Sequence, residues 1–159
     1  MDGARSHGAS ADRHRRAPGR IGTAAVSGRT LSIAGYAALF DIPDGAKDVI
    51  VPGAFARTLA DRQQAIPLYW QHRPEQRIGT VRLAEEDGRG LRVVADIDNP
   101  DSRAVSALLA REVNGLSFGY RARGFRRTAD GRLLEDIELL EVSLVTHPLQ
   151  HGARVHFVQ

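Results

Sequence analysis

Three side chains in this chain have the types that acyl transfer requires. They are Ser117 in Gly115-Leu116-Ser117-Phe118-Gly119-Tyr120, His72 closing Leu68-Tyr69-Trp70-Gln71-His72, and Glu141 within Ile137-Glu138-Leu139-Leu140-Glu141-Val142-Ser143-Leu144-Val145. A serine hydroxyl becomes a nucleophile when a histidine takes its proton, and an imidazole with an unperturbed pKa of ~6.5 can do so near neutrality. Each residue also has a plainer reading. A strand serine is ordinarily hydrogen-bonded to its surroundings, and no Gly-x-Ser-x-Gly elbow marks this one as special. A lone histidine at a strand end, followed by Arg73 and Pro74, is ordinarily a surface residue. Glu141 stands out because apolar residues flank it at both parities, so its strand is expected to be buried on both faces. A carboxylate there needs a partner: a histidine it orients, or one of the 21 arginines.

Other chemistries fare worse. With no cysteine there is no thiolate nucleophile, thiolate metal site or disulfide framework, and the redox compartment stays open. His147, His151 and His156 invite a metal reading, but Pro148 works against a helix presenting the first two on one face and no carboxylate cluster accompanies them. No metal and no cofactor is expected, and the C-terminal segment reads as solvated.

The elements that must position these residues follow from pattern. Leu31 to Phe40 reads as a strand ending in the turn-rich Asp41-Ile42-Pro43-Asp44-Gly45, and Val49-Ile50-Val51 as a second, short one. Pro52 can open a helix, and Phe55 and Leu59 share a face, so Gly53 to Arg62 is predicted as a short amphipathic helix. Ile66 to Trp70 is an apolar strand delivering His72. Val81 and Leu83, Asp87-Gly88, then Leu91, Val93, Ala95 and Ile97 in alternation predict a hairpin with a tight turn. Asn99 and Pro100 supply an N-cap and first helical residue for a stripe of Val105, Leu108, Leu109 and Val113, which Asn114-Gly115 would end with glycine in the left-handed position. Leu116 to Arg126 is a strand on which Leu116, Phe118 and Tyr120 face the core. Ser117 then faces the other way, beside a glycine that would leave room for a substrate backbone. After Asp130-Gly131, Leu133 to Thr146 gives one long strand or two short ones. The fold class is α+β: a small, mostly antiparallel β-barrel of six to seven strands flanked by two helices.

At 159 residues, 42% hydrophobic and 26% charged, the chain has room for one domain with a core. The high isoelectric point resembles a nucleic-acid signal until the charge is partitioned. Residues 1–28 carry Arg5, Arg13, Arg15, Arg16 and Arg20 against Asp2 and Asp12, whereas residues 29–159 carry 17 basic and 17 acidic groups. The excess is therefore confined to a Gly-, Ala-, Ser- and Arg-rich stretch with no hydrophobic period, read as a disordered arm, and no specific nucleic-acid partner is expected. No run nears the ~18 apolar residues of a membrane span and no signal peptide is evident, so a cytoplasmic protein with no membrane partner is the simplest expectation.

Taken in order, Gly35-Tyr36-Ala37-Ala38-Leu39-Phe40, Val51-Pro52-Gly53-Ala54-Phe55 with Thr58-Leu59, Leu68-Tyr69-Trp70-Gln71-His72, Gly115-Leu116-Ser117-Phe118-Gly119-Tyr120 and Leu140-Glu141-Val142-Ser143-Leu144-Val145-Thr146 with Pro148 resemble the prohead, or procapsid maturation, protease family of tailed phages. The resemblance spans about residues 30 to 157. It makes residues 29–159 a protease domain related to the herpesvirus assemblins, serine peptidases built on a small β-barrel surrounded by helices. It implies Ser117 as nucleophile and His72 as general base. Assemblins use a second histidine as third member, on the strand after the serine; here Glu141 is best placed on that strand, with His147 as the alternative. The resemblance points loosely to Pro148 to Arg154 for the oxyanion donors. It further implies a serine endopeptidase that cleaves scaffold and the capsid protein's N-terminal scaffolding segment, with self-cleavage, inside the procapsid of a tailed phage or gene transfer agent in the host cell. The major capsid protein and scaffold are then substrate partners, and since assemblins are activated by dimerisation, a homodimer enters as a further partner. The alternative from another class is a non-catalytic module that binds capsid or scaffold on the same barrel.

Overall fold

A computed structural model describes residues 29–159; the expected arm at residues 1–28 lies outside the described residues. The elements run β1 (Leu31–Leu39), β2 (Asp48–Ile50), α1 (Ala56–Ala60), β3 (Ile66–Trp70), β4 (Arg73–Glu86), β5 (Gly90–Ile97), α2 (Arg103–Leu109), β6 (Gly115–Arg127), β7 (Arg132–Val145) and β8 (Val155–Val158). Where the sequence predicts six or seven strands there are eight, because Val155–Val158 pairs with β1 rather than lying in solvent. Both helices are shorter than predicted. Glu86 of β4 accepts hydrogen bonds from the N–H groups of Gly53 and Phe55, so residues 53–55 form a capped turn ahead of α1. Ser102, not Asn99, caps α2, its hydroxyl accepting from Val105 N–H. That helix stops at Leu109, which is exposed, and Arg111 rather than Gly115 takes the positive φ, at 60°.

The strands form one sheet in the order β2-β7-β3-β4-β5-β1-β8, with β6 also paired to β7. β6 runs antiparallel along nearly all of β7. β2 and β3 therefore share the opposite edge of β7, β2 against Arg132–Leu134 and β3 against Val142–Leu144. Both of these pairings are parallel, so the sheet is mixed, and the mostly antiparallel expectation holds only for the other five pairings. The long crossover that parallel pairing needs is supplied by the intervening elements, since β4, β5, α2 and β6 lie between β3 and β7 in the chain. The sheet curls. Residues 153–155 bridge its two ends: Arg154 C=O accepts from Tyr36 N–H of β1, Ala153 C=O accepts from Leu116 N–H of β6, and Val155 N–H donates to Asn114 C=O. Gly115 begins β6 here, and it must be glycine because a Cβ would lie 2.7 Å from both Pro148 Cδ and Val145 O.

Inside the curl, Ile33, Leu68, Leu91, Ile97, Leu116, Leu134, Ile137 and Leu144 are fully buried, with Phe55 packed edge-on to Phe118 from the helix side. Each such side chain contributes about 1.5–3 kcal/mol by leaving water. The double-parity apolar pattern of β7 has two causes: residues 141–145 are buried at both parities, as expected, and a bulge shifts which parity faces the core. Gly119 pairs with Glu141, but Tyr120 pairs with Leu139, so Leu140 is an extra residue in a β-bulge and is 40% exposed. The bulge switches parity: Ile137 and Leu139 face the core before it, Val142 and Leu144 after it. Glu141 and Ser143 are thereby turned to the face away from the core.

One buried carboxylate fixes the far end of β7. Asp48, 3% exposed, is the direct parallel partner of Arg132 and receives its Nε at 2.9 Å and Nη2 at 2.5 Å, together with the Tyr120 hydroxyl at 3.1 Å. The Arg132 guanidinium, helped by Tyr120, holds the Asp48 carboxyl below its usual range despite burial, while burial and Asp48 push the Tyr120 phenol up to about 12. A carboxylate with a lowered folded pKa stabilises the protein above the unfolded pKa of ~3.9 and loses that contribution as pH falls through the folded value. Asp48→Asn is expected to lower stability at pH 7 by about 2 kcal/mol. Denaturant titrations from pH 7 to pH 2 should show the gap to wild type closing below about pH 4.

Candidate active site

His72 sits in a two-residue hairpin loop. Trp70 pairs directly with Arg73, and Gln71 and His72 between them have φ of 53° and 57°. Two left-handed residues in succession define the type I′ turn, which matches strand twist but favours Asn-Gly over Gln-His. The sequence pattern places His72 at a strand end and begins the next strand only near Val81; β4 in fact starts at Arg73, so His72 lies at a hairpin tip rather than at an open strand end. The turn is tied to β7 and the residue after it. Gln71 N–H donates to Leu144 C=O at 3.0 Å, the Gln71 amide donates to Thr146 Oγ1 at 2.7 Å and accepts from Thr146 N–H at 3.2 Å, and His72 N–H donates to Ser143 Oγ at 3.2 Å.

So folded back, the His72 imidazole reaches across β7. Its Nδ1 lies 2.5 Å from Glu141 Oε1, and Ser143 Oγ donates to Glu141 Oε2 at 2.6 Å. The partner of the buried carboxylate is thus a histidine, not an arginine. An ionised carboxylate only accepts, so Nδ1 carries the proton and Nε2 is left as the basic nitrogen. The Glu141 side chain leans over β6 at Gly119, where a Cβ would stand 2.6 Å from Oε1 and 2.9 Å from Cγ. The space beside this glycine, expected to admit a substrate backbone, is filled by the carboxylate.

Ser117 lies on β6 as the direct partner of Ser143 and is 8% exposed. Leu116 and Phe118 face the core as predicted, so Ser117 shares the outer face with Ser143, Gly119 and Glu141. Side chains directly opposite across an antiparallel pair stand ~5 Å apart at Cβ. Ser117 and His72 thus meet Ser143 from opposite sides, and no direct hydrogen bond joins the two among the described residues. His147 lies past the end of β7, exposed, in an open cleft with Trp70, Gln71, Arg73, Arg103 and Thr146. Its ring is not in the Glu141 cluster. Ser143, which the sequence pattern does not single out as a site residue, is the residue where all these elements converge and is fully buried; a second polar side chain two residues after Glu141 in the same apolar run, hence on the same strand face, was the available sequence signal. Pro148 to Arg154 runs beside the start of β6, pinned by buried Gln150, whose amide accepts from Leu39 N–H at 2.7 Å and donates to the carbonyls of Leu39 and Ile42 at 2.9 Å each. Among the described residues, no group of three or more His, Asp or Glu is arranged to hold a metal ion, and no helix is long and apolar enough to cross a membrane.

Residues 20–159 match the family described as caudovirus prohead serine protease. The chain belongs to that family. Among members of the prohead protease family, that of Enterobacteria phage HK97 is 29% identical over 128 residues, covering 76% of this chain and 57% of its own length, so the chain spans little more than half of that relative. The fold is shared more widely. The protease of KSHV, solved with a hexapeptide phosphonate inhibitor, superposes with a TM-score of 0.59 at 14% identity, over 82% of this chain and 65% of that one. The bacteriophage T4 capsid assembly protease gives 0.57 at 14% identity, over 73% and 81%. The varicella-zoster virus protease gives 0.53 at 19%, over 80% and 63%.

The His72–Glu141 contact and Gly119 depend on each other. Gly119→Ala can be accommodated only by moving the Glu141 carboxylate, which frees the imidazole while leaving the core untouched. Its thermal midpoint should stay within about 4 °C of wild type, a shift equivalent to ~1 kcal/mol or less. Wild type should show a far-downfield Nδ1–H proton resonance for His72, and that resonance should be absent from Gly119→Ala as from Glu141→Gln. Retention of that resonance in Gly119→Ala would show that the carboxylate does not need the space over Gly119.

Proposed function

We propose that this chain is a serine endopeptidase of procapsid maturation in which Ser117 is the nucleophile, His72 the general base and Glu141 the residue that orients it. The observation that carries the reading is the 2.5 Å contact of His72 Nδ1 with a buried carboxylate, one strand away from Ser117, in a member of the prohead serine protease family. His72 Nε2 takes the proton of Ser117 Oγ as the oxygen attacks a peptide carbonyl, and later gives it to the leaving amine; water then repeats the cycle on the acyl-enzyme. Glu141 holds the proton on Nδ1 and stabilises the imidazolium as it forms. Preorganised N–H groups of the Pro148 to Arg154 segment serve as oxyanion donors, held in place by Gln150.

The substrates in this reading are scaffold and the N-terminal scaffolding segment of the major capsid protein, cleaved inside the assembling procapsid of a tailed phage or gene transfer agent, with self-cleavage and a homodimeric active form. The HK97 and T4 relatives, a prohead protease and a capsid assembly protease, support that choice of substrates.

Co-expression with the matching capsid protein tests the reading directly. Wild type should truncate the capsid protein. Ser117→Ala and His72→Ala should each lower the rate by roughly 10⁴-fold or more without loss of folding, and Glu141→Gln by a comparable factor. A peptide phosphonate, the inhibitor class bound by the KSHV protease, should modify wild type at Ser117 and leave Ser117→Ala unlabelled. Undiminished truncation by Ser117→Ala would sink the assignment. Entry into the shell with neither truncation nor labelling would mark a non-catalytic assembly module instead.

A further inference from the structure

We propose that Ser143 is a positioning residue for the His72 base, an assignment that rests on the peptidase reading above. Its hydroxyl has one proton and two lone pairs, and the surroundings dictate how they are used. The His72 N–H can only donate, so Ser143 Oγ accepts there at 3.2 Å; the Glu141 carboxylate accepts, so the hydroxyl proton goes to Oε2 at 2.6 Å. One fully buried oxygen thus fixes both ends of the His72 arrangement: the backbone of a residue with φ of 57°, and the carboxylate that bonds its ring.

The bulge at Leu140 is what makes this geometry available, since it turns Glu141 and Ser143 together to the outer face, two residues apart on one strand. Without the hydroxyl, Oε2 of a buried carboxylate loses its donor and the His72 N–H loses its acceptor. The carboxylate is then free to rotate away from Nδ1, and the left-handed turn loses one of its ties to β7. The two hydrogen bonds of Ser143 Oγ go to Glu141 and to the His72 backbone and none goes to Ser117, so its removal should act on the turnover step rather than on substrate binding.

The test compares wild type, Ser143→Ala and Ser143→Thr by peptide cleavage kinetics and by ¹⁵N resonances of the His72 ring. Ser143→Ala removes a single atom from a packed site, and an intact amide spectrum verifies its fold. It should lower kcat roughly tenfold or more with KM within about twofold, because a hydrogen bond to a charged group is lost. In parallel, the ring should shift from a single Nδ1–H tautomer to a mixture, and Ser143→Thr, which keeps the hydroxyl, should restore the single tautomer. A structural role alone would lower stability and leave the tautomer unchanged. An active wild type with Ser143→Ala unchanged in kcat and tautomer overturns the proposal. A wild type that never labels at Ser117, while Ser143→Ala still redistributes the tautomer, sinks the peptidase reading and leaves the positioning role of Ser143 standing.

Discussion

The hairpin loop at Gln71 and His72 is where the site is won or lost, because two consecutive side chain-bearing residues occupy the left-handed region. Such conformations cost of order 1–3 kcal/mol each and persist only when the surroundings over-determine them. Here the surroundings are the last residues of β7 and Thr146, which supply partners for Gln71 N–H, for both ends of the Gln71 amide and for His72 N–H. At about 1 kcal/mol net per bond, these four interactions are of the right size to offset the strain. They exist only because β3 lies parallel to β7 with Trp70 opposite Leu144. An antiparallel neighbour would have delivered its turn to the other end of the strand.

β7 organises the molecule as well as the site. Its N-terminal end holds β2 through the Asp48 and Arg132 pair, its C-terminal end holds β3, and β6 lies along its whole length. The bulge between these two ends lets one strand bury apolar residues along both halves yet present Glu141 and Ser143 outward at the place where His72 arrives. Gly119 then gives the carboxylate room on the neighbouring strand. A strand of uniform parity would have to choose between its core contacts and its carboxylate.

The fold likeness to herpesvirus and T4 proteases at 14–19% identity fits this picture. What must be kept is the curl of the sheet and the convergence of three strands, and many apolar sequences can fill the interior. The carboxylate beside the histidine is a feature of this chain's own residues and is not carried over from those folds.

Sequence alone determined the composition of the core, most of the strands, and the three side chains of the candidate site, because alternation and turn residues are local signals and because a carboxylate in an apolar run is conspicuous on chemical grounds. It also narrowed the carboxylate's partner to a histidine or an arginine. Only the tertiary structure decided between them, since the answer depended on a parallel pairing of β3 with β7 and on where β7 bulges. Neither leaves a local trace. The N-terminal half of β4, ahead of Val81, was not legible either; Pro74 is tolerated there at the second residue of the strand beside the turn. The C-terminal strand β8 was hidden by its shortness and by His156 within it, and it is a strand because β1 offers it an edge. Gly115 and Gly119 carry the same lesson: the sequence marks them as glycines, but the reason for each is a distant atom, Val145 O in one case and Glu141 Oε1 in the other. Contacts between residues far apart in the chain are fixed by how the whole sheet closes, and no single segment encodes that.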